Sequence, residues 1–494
     1  MFSERSSRIP EQSRKHACAR NGLLLSGCLL LTVLGCSRSV PREGFVFTQL
    51  PVEKPNGSGM DVLDRRYPAG SRIVLADLAF KRREVLSAGL YSAGDPKVTY
   101  DGRHLLFCAK SSADAEWQIY ELDLANRKYR PLTTMSGGAS SPDLLPDDRL
   151  IFVSPVEKLG ATRSSPAILY AQAPGQRPQA LTFTPISVSD PFVMDDGRIL
   201  FVGTRPSEGV PAASALYTIN NDGTEIARFS RTHDGPGLIR QPRQISDKRI
   251  GYLVLEPGSE CATKAAEFIR CAKPFAPPES LHLSGFSRLG SIQWLANGEI
   301  LLSAQEWGRD SVSRGCLAIY RINEGSATPG TPLFKDTDWD SFEATLISPA
   351  APPMGRLSTV DPSKDTGQIL CLDVNYTTAA PGTGPASAAT RVRVTAQAVS
   401  DQVRVLGEVP VQSDGSFMAE VPADVPLGFD ALDDQGHLLR RIAPMIWVRP
   451  GENRSCIGCH EPPNHSPQNH RPLAVRAPVP KLLLQNESLV KAQP

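Results

Sequence analysis

The sequence predicts an all-β chain: a β-propeller of six to seven blades, then a small β-sandwich, then a short C-terminal segment bearing Cys and His. Three observations predict it. Pro (43) and Gly (39) supply about 17% of the 494 residues, against a usual share of roughly 12%, so turns and short strands should dominate. A unit of one turn and one apolar strand recurs about every fifty residues between Tyr100 and Ser303. After a Pro/Gly-rich break, short runs of alternating apolar and polar residues follow. At 40% hydrophobic and 21% charged residues, the chain is neither disordered nor a polytopic membrane protein. A net charge of +1 gives no reason to expect nucleic acid as a partner.

The first element is a targeting signal. Arg5, Arg8, Arg14, Lys15 and Arg20 outnumber Glu4 and Glu11 ahead of an apolar run, Gly22 to Leu34. That run is too short to span a bilayer comfortably and has the length of a signal-peptide core. It ends Val33-Leu34-Gly35-Cys36, followed by Ser37-Arg38-Ser39. A small residue and then Cys directly after the apolar core resembles a bacterial lipobox. The resemblance implies cleavage before Cys36, lipid on its sulfur and a firm membrane anchor. Ser37, rather than Asp, favours the outer membrane. An ordinary secretory signal with an incidental Cys36 is the alternative. The expected location is the bacterial cell envelope, facing the periplasm, with residues 36–60 as a tether. Removing residues 1–35 brings the charge to −2, so no basic docking face is implied. Export also permits disulfides.

The propeller is expected over residues 61–376. Its repeat reads Tyr100-Asp-Gly-Arg-His-Leu-Leu-Phe107, Pro146-Asp-Asp-Arg-Leu-Ile-Phe-Val153 and Asp195-Asp-Gly-Arg-Ile-Leu-Phe-Val202. Ser246-Asp-Lys-Arg-Ile-Gly-Tyr-Leu253 and Ala296-Asn-Gly-Glu-Ile-Leu-Leu-Ser303 continue it. The charged position steps through 103, 149, 198, 249 and 299. Asp-Gly or Asn-Gly supplies the positive φ that a hairpin turn requires. A second strand closes each unit, as in Trp117-Gln-Ile-Tyr-Glu-Leu-Asp-Leu124. Several strands per unit at this period are the signature of propeller blades; a β-sandwich array is the less regular alternative. A looser copy, Asp365 to Leu372, follows a longer Pro-rich insert, and residues 68–80 supply a strand to close the ring. The motif resembles TolB-like repeats, best at Asp95-Pro96 with Asp101-Gly102-Arg103 and at Asp190-Pro191 with Asp196-Gly197-Arg198. That resemblance informs fold and not function. Residues 377–389 read as a linker and residues 390–448 as a sandwich of about five strands.

The chemistry sits after the sandwich. Residues 449–475 contain Cys456-Ile-Gly-Cys459-His460, a Cys-x-x-Cys-His motif, and residues 476–494 read as a flexible tail. Two thiols at this spacing reach the two vinyl groups of one haem edge, and the adjacent His lies under the iron as proximal ligand. With so few Cys and His, about 0.003 such motifs are expected by chance, and an exported chain is where covalent haem attachment occurs. Cys456, Cys459 and His460 are therefore expected to hold one covalent haem c. A Cys456–Cys459 disulfide and half of a zinc site are the alternatives. His470 is a candidate distal ligand, Met445 another, and an open position a third; His465 is too near His460 to round the haem easily. Cys261 and Cys271 flank a nine-residue segment and are candidates for a local disulfide. Cys108, Cys316 and Cys371 fall in predicted strands and are expected to be buried.

Repeat and haem motif together resemble a family. The run Val405-Leu-Gly-Glu-Val-Pro-Val411, Asp414-Gly-Ser-Phe417, Glu420 to Leu427 and Leu432 to Gly436 leads into Arg449-Pro-Gly-Glu-Asn-Arg-Ser-Cys-Ile-Gly-Cys-His-Glu461. It is similar to proteins related to the hydrazine synthase alpha subunit, in which a propeller and a β-rich middle domain sit beside c-type haem. The catalytic subunit carries two c-type haems, whereas this chain has one Cys-x-x-Cys-His, so hydrazine synthesis is not carried over. The favoured function is a membrane-anchored monohaem cytochrome-like protein that passes electrons to a redox partner protein, with the propeller as docking scaffold. The alternatives are a propeller that binds an envelope partner around a structural haem, and a redox enzyme at an open haem position. Whether the chain is an enzyme stays open.

Overall fold

The computed structural model describes residues 43–483, apart from 53–61, 156–165, 206–212, 234–236, 246, 256–262, 282, 284, 307–315, 325–329, 378–387, 398–401 and 460–469; for 263–265 it describes the backbone. The described strands make six blades: four separate four-stranded sheets and a seven-stranded sheet that holds two blades. Strand-rich, turn-rich composition has thus become a β-propeller.

The repeat is legible because one turn builds every copy. Gly102, Gly197 and Gly298 stand at positive φ, as expected, but Asp148 and Lys248 take the same place in their blades. What all five turns share is the preceding side chain. Asp101, Asp147, Asp196, Asp247 and Asn297 each accept a hydrogen bond from the backbone N–H two residues on, at 2.9–3.3 Å. These are Asx turns, in which the side chain substitutes for a backbone acceptor.

A second feature repeats on the innermost strands. Asp95, Ser141, Asp190, Gln241 and Glu343 all have φ between 48° and 58°, and each sits at a register shift between its strand and the next. The bulge leaves this residue outside the ladder, which is why Pro can follow it at 96, 142, 191 and 242.

The ring closes by pairing Trp339–Ile347 with Gly44–Pro51, which in turn pairs with Arg72–Asp77. Gly44–Pro51 was expected in the tether; it is instead a fully paired strand whose Phe45, Val46 and Phe47 are buried. Residues 348–360 then strap across the ring. Ala350 N–H donates to Tyr100 O at 2.9 Å, Met354 N–H to Asp195 O at 3.0 Å and Thr359 N–H to the Asp222 carboxylate at 2.9 Å.

The expected blade copy at Asp365–Leu372 is not in the propeller. Thr366–Cys371 is the central strand of a second domain, antiparallel to Phe417–Pro422 and parallel to Asn453–Cys456. Its Gly367 mimics a turn glycine for another reason: a Cβ there would lie 2.9 Å from both Arg449 O and Glu452 O. A four-stranded sheet, Val403–Pro410, Arg391–Gln397, Leu427–Leu432 and Leu438–Ile446, packs against this one through Val392, Val394, Phe417 and Phe429. The sandwich is therefore wider than residues 390–448, and the strand entering the Cys-x-x-Cys motif is part of it.

Candidate functional site: a sulfur-lined cavity

Segment Trp447–Glu452 wedges the motif between the two domains. Trp447 is fully buried among the propeller side chains and its indole N–H donates to Gly223 O at 3.0 Å. Arg449 bonds Ala180 O at 3.2 Å and Asp424 at 2.9 Å. Glu452 accepts from Glu225 N–H at 3.1 Å. Asn453–Cys456 then runs along Thr366–Cys371, with Cys456 in register with Cys371.

Cys456 and Cys459 do not stand on a helix. Cys456 ends a strand, and Ile457-Gly458-Cys459 bends over the turn after Cys371. Cys459 N–H donates to Tyr376 O at 3.1 Å, and a Cβ on Gly458 would meet that same carbonyl at 2.2 Å. Glycine is needed here because the loop lies directly on the backbone of residues 373–376.

Both cysteines face a cavity of about 740 Å³, within the range of cofactor sites. The sandwich supplies Ile369, Phe417, Phe429 and Ile442 to its wall; the propeller supplies Ile186, Tyr217 and Ile226. Arg205 and Arg228 stand exposed at its edge and Arg454 is half-buried, and among the described residues no carboxylate lines it. Arg454 Nη2 donates to Ile226 O at 2.5 Å, and Nη1, which makes no hydrogen bond, lies 4.0 Å from the buried Glu452 carboxylate. Two thiols at haem-motif spacing, a largely apolar chamber and guanidiniums at its edge suit an apolar ring carrying carboxylates.

The remaining predicted site residues divide. Cys36, Cys261, His460 and His465 lie outside the described residues. Cys271 packs its side chain at the edge of the apolar cluster around Leu200 and Ile269. His470 does not line the cavity; its imidazole faces Asp414 at 3.4 Å. Met445 does line it, in contact with the Arg205 guanidinium. Cys108 and Cys316 are buried as expected, their thiols donating to Gly94 O at 3.3 Å and Thr337 O at 3.2 Å. Cys371 had been grouped with them and belongs elsewhere: it lines the cavity, and its thiol hydrogen-bonds the Cys459 thiol. That contact, then burial, raises the Cys371 pKa far above the ordinary thiol range. Only the spatial neighbourhood reveals it.

A second polar group, missed in sequence, fills the propeller axis. Glu343 is its hub. It accepts from Arg66 at 2.7 Å, from the Tyr67 hydroxyl at 2.7 Å, from Thr48 at 3.1 Å and from Asp95 N–H at 2.9 Å. Arg66 also pairs with Asp190 at 3.6 Å, which takes Arg240 at 2.6 Å. Burial, then the Glu343 charge, pushes the Asp95 carboxyl up to about 7. The recurring Asp-Pro was the visible part of this cluster; Glu343 carries no such mark.

The family model of the hydrazine synthase alpha subunit middle domain matches residues 367–461, from the central sandwich strand through the Cys-x-x-Cys-His motif. Hydrazine synthase subunit alpha from Kuenenia stuttgartiensis is 21% identical over 552 aligned positions, covering 86% of this chain and 67% of that one. The solved Kuenenia stuttgartiensis hydrazine synthase superposes with a TM-score of 0.75 at 19% identity, over 88% of this chain and 72% of that chain, which shows a shared fold. TolB from Acinetobacter baumannii matches 62% of this chain and 66% of its own at 13% identity, with a TM-score of 0.42. The chain, propeller and sulfur-bearing middle domain alike, is related to the hydrazine synthase alpha subunit.

Proposed function

We propose that this chain is an exported, membrane-anchored monohaem c-type cytochrome-like protein that transfers electrons, with its propeller as the docking scaffold for a partner protein. The observation that carries the reading is the cavity. Cys456 and Cys459 open into an apolar chamber edged by Arg205, Arg228 and Arg454. In this reading both thiols form thioethers and His460 binds the iron. A haem bound there supplies a one-electron couple. The chain's own residues do the rest: Ile369, Phe417 and Phe429 keep water from the ring, and the guanidiniums receive its carboxylates. Cys36 carries the lipid that holds the protein at the envelope membrane, the outer one favoured. A relative named as a subunit supports a protein partner.

The test is co-expression of the full chain with a haem-attachment system in a bacterial envelope, followed by acid–acetone extraction. Haem retained by the wild type and lost in Cys459→Ala supports the reading; extraction of all haem from the wild type overturns it. A second reading, a redox enzyme at an open iron position, is favoured by one observation: His470 is engaged with Asp414 rather than facing the cavity. A haem-loaded spectrum that shifts on adding cyanide supports it; an unresponsive spectrum restores simple electron transfer.

A further inference from the structure

Three cysteines, not two, meet at the cavity wall. Cys371 and Cys456 are register partners on neighbouring parallel strands, so their Cα atoms stand about 4.8 Å apart, inside the range that disulfides span. Cys371 and Cys459 pack in one buried cluster with Cys456 against it, line the same cavity, and have their thiols within hydrogen-bonding reach of each other. They are 2% and 6% exposed, and the cavity that all three line is the route by which a small molecule reaches them. Cys371 comes from the strand before the linker, and neither its spacing nor the haem motif marks it.

We propose that Cys371 and Cys459 form a redox-active dithiol in the haem-free chain, with Cys456 as the exchanging thiol. The oxidant class is a small-molecule disulfide. The two thiols join as one S–S bond and lose two electrons and two protons; the disulfide's own S–S bond breaks and leaves as two thiols. Exchange then follows without further oxidant. The Cys456 thiolate attacks the Cys459 sulfur, the Cys371–Cys459 bond breaks, and Cys371 leaves as a thiolate that takes up a proton. The pair thus alternates between Cys371–Cys459 and Cys456–Cys459. Thiol pairing rests on the geometry alone. Its consequence, that oxidation withholds Cys459 from thioether formation, rests on the haem reading above.

The test uses full-length haem-free protein equilibrated with oxidised glutathione, quenched in acid, alkylated and digested with trypsin. Wild type yields a cross-link between the Cys371 peptide and the peptide carrying Cys456 and Cys459. Cys371→Ser, a near-isosteric change, loses it. Cys456→Ser keeps it, because Cys371 and Cys459 remain in contact. Alkylated Cys371 throughout, with only the Cys456–Cys459 loop formed, overturns the proposal. So does a Cys456→Ser protein whose Cys371 and Cys459 both stay alkylated. Haem retention by the wild type is read separately: its failure sinks the haem reading and leaves the cross-link result standing, while retained haem without a cross-link sinks the dithiol alone.

Discussion

The propeller axis and the sandwich cavity treat charge in opposite ways. On the axis, Arg66, Glu343 and Asp190 are each under a tenth exposed, and each charge has an opposite one within 2.6–3.6 Å. At the cavity three guanidiniums share an edge without one lining carboxylate, around open space. Buried charge persists only when it is compensated. The axis achieves this from within the chain and is a closure device. It joins Thr48 of the second closing strand, the helix Val62–Arg66 and the bulge of Trp339–Ile347 at one carboxylate. At the cavity only Arg454 has an ion-pair partner among the described residues, Glu452 at 4.0 Å, and Arg205 and Arg228 stand at the edge of a space with room for an anion.

The largest expected effect breaks the axis. Glu343→Ala leaves Arg66 without its 2.7 Å partner and unties three elements at once. Removing one member of a buried pair costs about 3–5 kcal/mol. Denaturant unfolding should show that loss, with ring closure weakened before the sandwich; a midpoint unchanged from wild type would remove the axis from the structural account.

Next comes the pH response of the same cluster. Burial and Glu343 raise the Asp95 carboxyl to about 7, above its unfolded value of roughly 4. The native state then holds a proton that the unfolded state has lost, so stability falls as pH rises from about 4 to about 7 and levels off above. Asp95→Asn removes that penalty. Its melting temperature should exceed that of wild type by a few degrees at pH 8 and match it near pH 4; equal melting at both would contradict the assignment.

How far each region was readable from sequence follows the same division. Blade period, turn and strand were legible because one Asx turn with a positive-φ residue recurs locally, at Asp101-Gly102 and again at Asp247-Lys248. The Asp365–Leu372 copy misled because Gly367 answers a packing demand from Arg449 and Glu452, distant in sequence. The haem motif was legible as spacing. Its chamber was not, since Ile226, Arg228, Cys371 and Phe417 reach it from both domains. Glu343 and Cys371 share this reason: their partners are set by strand pairing, which leaves no local pattern.

The smallest effects test the cavity side. Arg228→Met should change the stability of haem-free protein by no more than about 0.5 kcal/mol, because its exposed guanidinium forms no ion pair among the described residues and only overlies the Phe275 ring at 5.7 Å. In haem-loaded protein the same change should lower the midpoint potential, since a positive charge near the iron favours the reduced form. Arg454→Met should lower it too, although the Glu452 carboxylate 4.0 Å away offsets part of that charge. His470→Gln should move neither the potential nor the spectrum, as that imidazole is spent on Asp414 at 3.4 Å. A potential that answers to His470 and ignores Arg454 would reverse the comparison: the ligand end of the chamber would lie towards the C-terminal segment, and the guanidinium edge would be ordinary solvated surface.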